Sequence, residues 1–283
     1  METFKRAIVG FDGSPSSFAA AQYAFDLGKN LDIPVVGIFV IDKRLLDEAI
    51  LEDLAGILGF TFYIGISQKV KEALEKKADV LFQEFAQMGR EKGVRVSLVQ
   101  VEGLPYVEIA NEADPEDIIF LGHKRSDFPG GILIGSTAER VVRNAPCPVF
   151  ISREKYKPIK NIGIAFDGSE VSKKALKVGA LLADAYKAKL EVIFVEPNDH
   201  FPQEVVDKIK QEAEQILEPL GKDFTFTLLK GFAEEKLVEY QEHGNIDLLV
   251  MGAFGTKPIK EIILGSVAYY VMHNAKGPVV FVK

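Results

Sequence analysis

A single cysteine, Cys147, rules out an intrachain disulfide, and none of the 283 residues lies in an Asn-x-Ser/Thr acceptor. Both absences fit a reducing, cytoplasmic setting. The longest uncharged run, Leu54–Gln68, is fifteen residues and is broken by glycine. A membrane-crossing helix needs about 20, so no span is expected. The opening METFKRAIVGFDGS lacks a signal layout and runs straight into a strand pattern. A basic surplus is missing too: the net charge of −7 excludes nonspecific nucleic-acid binding. It leaves an anionic small ligand open, because backbone N–H groups at helix starts bind phosphate without any global positive charge.

Several catalytic signatures are also absent. The Walker pattern Gly-x4-Gly-Lys-Ser/Thr, the dinucleotide pattern Gly-x-Gly-x-x-Gly and the hydrolase elbow Gly-x-Ser-x-Gly do not occur. His123, His200, His243 and His273 have no metal-ligand spacing, so surface or capping roles are expected for three of them. His123 sits in a glycine turn where it could meet a ligand. Cys147, in APCPVF, reads as a tolerated small residue rather than a redox centre.

What the chain does contain is a duplication. Apolar residues at 47% and charged residues at 27% give a soluble globular balance, and the length suffices for two domains. AIVGFDGSPSS at 7–17 matches IGIAFDGSEVS at 162–172, GIFVID at 37–42 matches VIFVEP at 192–197, and DIIFLG at 117–122 matches DLLVMG at 247–252. ILIGSTAERVVRNAPCPVF at 132–150 matches IILGSVAYYVMHNAKGPVV at 262–280, with nine identities in nineteen positions. The boundary is placed in SREKYKPIK, giving domains at 1–155 and 156–283.

Each copy alternates strand and helix. In the second, Ile162–Phe166, Leu190–Val195, Phe224–Leu229, Leu248–Met251 and Val279–Val282 are short apolar runs expected to be buried parallel strands. Ser169 or Ser172 is expected to cap the first helix, and Gln203 onward carries a one-faced apolar stripe. In the first copy, KVKEALEKKADVLFQEF reads as an amphipathic helix with a solvated face. The expected fold is α/β: two tandem, doubly wound, mostly parallel five-stranded sheets with helices on both faces. Ligands bind such sheets outside the strand carboxyl ends, where strand order reverses. The first copy is longer: Val40 to Gly103 spans 63 residues, Val195 to Gly231 only 36. The extra residues, near 45–70, are expected to form buried packing, with a flap over a site as the other reading.

The second copy's MGAFGTKPIKEIILGS places Gly252 after a strand, Gly255 three residues on, and Gly265-Ser266 before a helix. Gly252 and Gly255 would let backbone approach a ligand without an intervening Cβ. Ser266 would cap the helix or offer its hydroxyl to phosphate, and the first-turn N–H groups point to the same place. Asp167, itself negative, suits a ribose hydroxyl, an adenine amino group or a metal that travels with the phosphates.

The spacing Gly-x2-Gly-x9-Gly-Ser, together with AFDGS on the first strand, resembles the ATP-binding universal stress proteins, twice over essentially the whole chain. The resemblance implies that Asp167 and Val195 hold adenine and ribose, while Gly252, Gly255, Gly265 and Ser266 hold the triphosphate of ATP, with Mg2+ as the accompanying cation. It also implies pairing through the last strands, here PVFIS against PVVFV within one chain, and leaves a homodimer open. In the first copy Asp12, Val40, Gly122, Gly135 and Ser136 are in place, but Arg125 replaces the second glycine. A weakened or lost site is expected there, because arginine resists positive φ, with direct contact of its guanidinium to phosphate as the other reading. No Glu or His recurs at the turn in both copies, so regulatory binding is expected ahead of turnover. A hydrolase or nucleotidyl transferase on the same fold, or a scaffold without nucleotide, are the alternatives.

Overall fold

The computed structural model describes residues 3–57, 66–123, 137–197, 202–254 and 264–283. Its first half runs β1 (Ala7–Gly10), α1 (Pro15–Leu31), β2 (Val35–Asp42), a 3-10 turn (Lys43–Leu46), α2 (Glu48–Ile57), α3 (Ile66–Lys92), β3 (Val96–Gly103), α4 (Pro105–Glu112), β4 (Ile118–Gly122), α5 (Thr137–Asn144) and β5 (Val149–Ser152). The second runs β6 (Asn161–Ala165), α6 (Glu170–Tyr186), β7 (Lys189–Glu196), α7 (Gln203–Leu217), a 3-10 turn (Glu218–Leu220), β8 (Thr225–Lys230), α8 (Ala233–Glu242), β9 (Leu248–Gly252), α9 (Ser266–Asn274) and β10 (Val279–Val282). The five expected strands of the second copy appear within one residue at each end, the termini being set by hydrogen bonding rather than by apolarity.

The duplicated sequence makes duplicated local structure. Ser14 and Ser169 stand in extended backbone before α1 and α6, and each hydroxyl accepts the N–H three residues on, from Ser17 and from Ser172, at 3.2 Å. Ser169, rather than Ser172, is therefore the cap. Both helices stop at a left-handed residue, Asp32 at φ 51° and Lys187 at φ 54°. Their small-residue faces, Ala19, Ala20 and Ala24 in one and Ala175, Gly179 and Ala180 in the other, are buried and let helix approach sheet closely.

All ten strands join one sheet in the order β3-β2-β1-β4-β5-β10-β9-β6-β7-β8. Pairing is parallel within each half. At the centre β5 and β10 run antiparallel, Val279 opposite Ile151 and Phe281 opposite Val149, so the expected pairing of PVFIS with PVVFV occurs within the chain. One apolar core lies on each face of the sheet. The halves also meet on the α1/α6 side, where Tyr186 Oη donates to the Tyr23 carbonyl at 3.0 Å. The connecting segment is tied to both: Lys157 N–H donates to Tyr23 Oη at 3.0 Å, and Lys160 and Asn161 N–H both donate to Asp247 Oδ2 at 2.9 Å.

The extra length of the first copy goes into the turn at 43–46, α2 and the long α3, which buries Ala78, Leu81, Phe85 and Gly89 and leaves its charges outside. α2 packs on that turn and on α3. Residues 58–65 lie outside the described residues; at their near edge Ile57 is 80% exposed. Among the described residues no helix is long and apolar enough to cross a membrane.

Candidate functional site

Strand order reverses between β1 and β4 and again between β6 and β9. A cavity opens at each reversal, of about 160 Å³ in the first half and about 180 Å³ in the second. Asp167, Val195, Gly252, Gly265 and Ser266 all line the second. Gly255 lies outside the described residues, as do Arg125, Gly135 and Ser136. Asp12, Val40 and Gly122 line the first cavity.

Asp167 follows β6 and turns back on its own loop, its Oδ1 accepting the Ser169 N–H at 3.0 Å. Burial pushes this carboxyl upward, but donors from Ser169 and Ser172 outweigh it and hold the group below its ordinary value. Asp167 therefore faces the cavity as a carboxylate. Asp12 makes the same loop bond, to Ser14 N–H at 2.9 Å.

Val195 contributes backbone. The Phe166 N–H donates to the Ile193 carbonyl, and the Gly231 N–H to that of Glu196. Backbone groups alternate sides along a strand, so the amide and carbonyl of Val195 point with those of Ile193, towards β6. The β6 ladder has already ended at Ala165, and the edge opens into the cavity. Val40 repeats this, since the Phe11 N–H donates to Ile38.

Across from Asp167, α9 begins. Gly265 is its N-cap, in extended backbone at φ −59° and ψ 147°, and no side chain caps the helix. The expected serine cap is thus displaced by one residue: Ser266 is the first helical residue. A serine there has its hydroxyl alongside the first turn rather than bonded back over it. The Gly265 N–H is used by the Ala253 carbonyl at 2.9 Å, which fixes the helix start against β9. First-turn N–H groups have no intrahelical acceptor, and Ser266, Val267 and Ala268 all border the cavity. The positive end of the helix dipole faces the same space.

Gly252 also has a packing reason that its spacing does not show. A Cβ there would come 2.8 Å from Val171 Cγ1 on α6, and one at Gly122 would come 2.5 Å from the Ser16 and Ser17 backbone. Both glycines let a strand end pass under the first turn of a helix. The remaining walls are apolar, chiefly Ile193, Leu237, Met251 and Phe254, suited to a flat ring. Leu237 and Phe254 were not singled out from sequence; the period of α8 marks the first as core, and nothing local marks the second. Cys147 is buried, its thiol pushed up to about 12 by burial, as a tolerated small residue should be. Among the described residues no cluster of His, Cys, Asp or Glu could hold a metal ion.

The profile of the universal stress protein family matches residues 3–153 and again 158–283. The chain belongs to the universal stress protein family. It is a tandem member, as full-length relatives show: Universal stress protein Slr1230 of Synechocystis sp. is 28% identical, covering 97% of this chain and 98% of its own length. A crystal structure of a universal stress protein from Archaeoglobus fulgidus covers 98% of this chain and 96% of its own, at 21% identity and a TM-score of 0.74. A further structure from Archaeoglobus fulgidus, a universal stress protein in complex with dAMP, spans 45% of this chain and all (100%) of its own, at 21% identity and a TM-score of 0.38. The tandem α/β architecture expected from the duplication is thus the one observed.

Proposed function

We propose that the second-half cavity binds ATP, or a related adenine nucleotide, as a regulatory ligand. The observation that carries this reading is the uncapped start of α9, aimed into a cavity whose opposite wall holds an ionised Asp167 and the open backbone edge of Val195. Those three features suit the three parts of a nucleotide. Phosphates meet the first-turn N–H groups, ribose hydroxyls donate to Asp167, and the adenine edge pairs with Val195 backbone between apolar walls. Mg2+ would arrive with the nucleotide, held by phosphate oxygens and water, because Asp167 is the one carboxylate among the described lining residues.

Regulation is favoured over turnover for the same reason. Asp167 is the one ionisable side chain among the described lining residues, and it is committed to the sugar end. A ligand bound only by the folded chain stabilises it by mass action, so occupancy itself becomes the signal. The first-half cavity shares Asp12, Val40 and Gly122, and Arg125 at the second glycine position of its turn supports weaker binding there.

Ser266→Asp tests the reading. A carboxylate in the first helical turn favours the helix but repels phosphate. Isothermal titration with ATP is expected to show at least tenfold weaker binding, with an unchanged or raised melting temperature. Undiminished ATP affinity in that variant contradicts the placement of the phosphates.

A further inference from the structure

The strand ends of the second half form a row. β9 leads towards the start of α9, β6 to Asp167 and β7 to Val195, and β8 comes next, at the edge of the sheet. A nucleotide laid along that row, with phosphates at α9 and base at Val195, has its base end beside the turn that leaves β8. Leu229 is paired with Val195, and the Gly231 N–H donates to the Glu196 carbonyl at 2.9 Å, so the turn is fixed against the residue that follows Val195. Phe232 comes next in the chain, and Ala233 already lines the cavity.

The local fold gains little from Phe232. Its side chain is 69% exposed and belongs to neither apolar core. A phenyl ring left in water forgoes the burial that large aromatics ordinarily supply. Phe232 also occupies the N-cap of α8, in extended backbone at φ −74° and ψ 122°, where no side chain accepts a first-turn N–H. Serine, threonine, aspartate or asparagine would cap that turn, and phenylalanine cannot. A hydrophobic staple needs its apolar residue one position earlier, at Gly231, which holds φ 125° and has no side chain. A residue that breaks two local rules at the edge of a cavity marks a functional position.

The repeat offers a comparison. At the equivalent place in the first half, Leu104 is the N-cap of α4, half-buried, with Pro105 after it. Both halves therefore keep an apolar residue at this turn, but the second has made it aromatic and turned it out to water. The half whose glycine motif is intact in the sequence is the half that carries the exposed ring.

We propose that Phe232 is a specificity-determining residue of the second-half cavity, whose ring turns onto the base of the bound nucleotide. This rests on the reading of that cavity as a nucleotide site. The apolar wall, with Leu237 from the same helix, covers one face of a flat ring, and Phe232 covers the other. An exposed side chain changes rotamer within nanoseconds, so the ring needs no backbone movement to close. Stacking of a base on an aromatic side chain is worth roughly a factor of five to a hundred in affinity. Phe232 thereby favours ligands that carry an aromatic base over those that carry only phosphates.

The chain has no tryptophan, so Phe232→Trp places a single indole at the turn. ATP is expected to quench its emission saturably, at the affinity that calorimetry gives for the same variant, while inorganic tripolyphosphate leaves the emission unchanged. Phe232→Ala is expected to bind ATP at least fivefold more weakly than the parent, with an unaltered melting temperature because the ring is exposed. A parent chain that binds no ATP overturns the nucleotide reading and this inference together. Undiminished ATP affinity in Phe232→Ala, ATP bound by Phe232→Trp without change of emission, or equal quenching by tripolyphosphate overturns the role of Phe232 alone.

Discussion

Gly122 and Gly252 occupy equivalent strand ends, yet the atoms around them set different tolerances. At Gly122 a Cβ meets helix backbone, which cannot give; at Gly252 it meets a valine methyl, which can turn away. Gly122→Ala is therefore expected to cost about 1–3 kcal/mol in urea unfolding, and Gly252→Ala clearly less. Spacing alone exposed these glycines but not their reason, since the sequence does not say which way the missing Cβ would point. Asp167 was more legible, because FDGS recurs with its serine cap and only a strand-to-helix turn explains both copies. The carboxyl of Asp167 lies below its ordinary value when folded. Its contribution to stability is thus present above its unfolded value, about 3.9, and is lost as pH falls through the folded one. Asp167→Asn should flatten that acid limb, so the stability difference between variant and parent should shrink as pH falls below about 4. A difference independent of pH contradicts the ionised assignment.

Two helix starts that look alike in sequence do different work at the level of elements. α6 is closed by the Ser169 hydroxyl, whereas α9 has Gly265 at its cap and no side-chain bond. Ser169→Ala should lower stability by about 1 kcal/mol. Ser266→Ala should leave stability nearly unchanged and act instead on nucleotide affinity. Thermal melts and ATP titrations of both variants separate the roles, and equal destabilisation by the two would mean that α9 is capped by its serine after all. The existence and type of these elements were legible because β-branched apolar runs and a one-faced helical stripe have different periods. The one-residue shift of the α9 cap was not, because glycine and serine are both acceptable caps and tertiary anchoring of the Gly265 N–H on Ala253 decides between them.

Over the whole molecule, the duplicated halves form one continuous sheet instead of two separate bodies. Val149, Phe150 and Ile151 are buried opposite Val279, Val280 and Phe281. Each such side chain contributes about 1.5–3 kcal/mol when removed from water, so neither half is expected to melt alone. Calorimetry should give one cooperative transition; two resolved transitions would contradict the shared core. The pairing of the last strands could be anticipated from the repeat, whereas a cavity of about 630 Å³ at the seam could not. It arises only where antiparallel joining brings His123 and Arg153 to the Gly277 turn, residues far apart along the chain. The claim that matters most is that α9 presents its free amides to a nucleotide. Hydrogen exchange of the intact chain with and without ATP addresses it directly. Slowed exchange at Ser266, Val267 and Ala268 is expected on saturation, with little change at the Ser169-capped start of α6. ATP binding that leaves the three α9 amides unprotected, or no binding at all, would contradict the account.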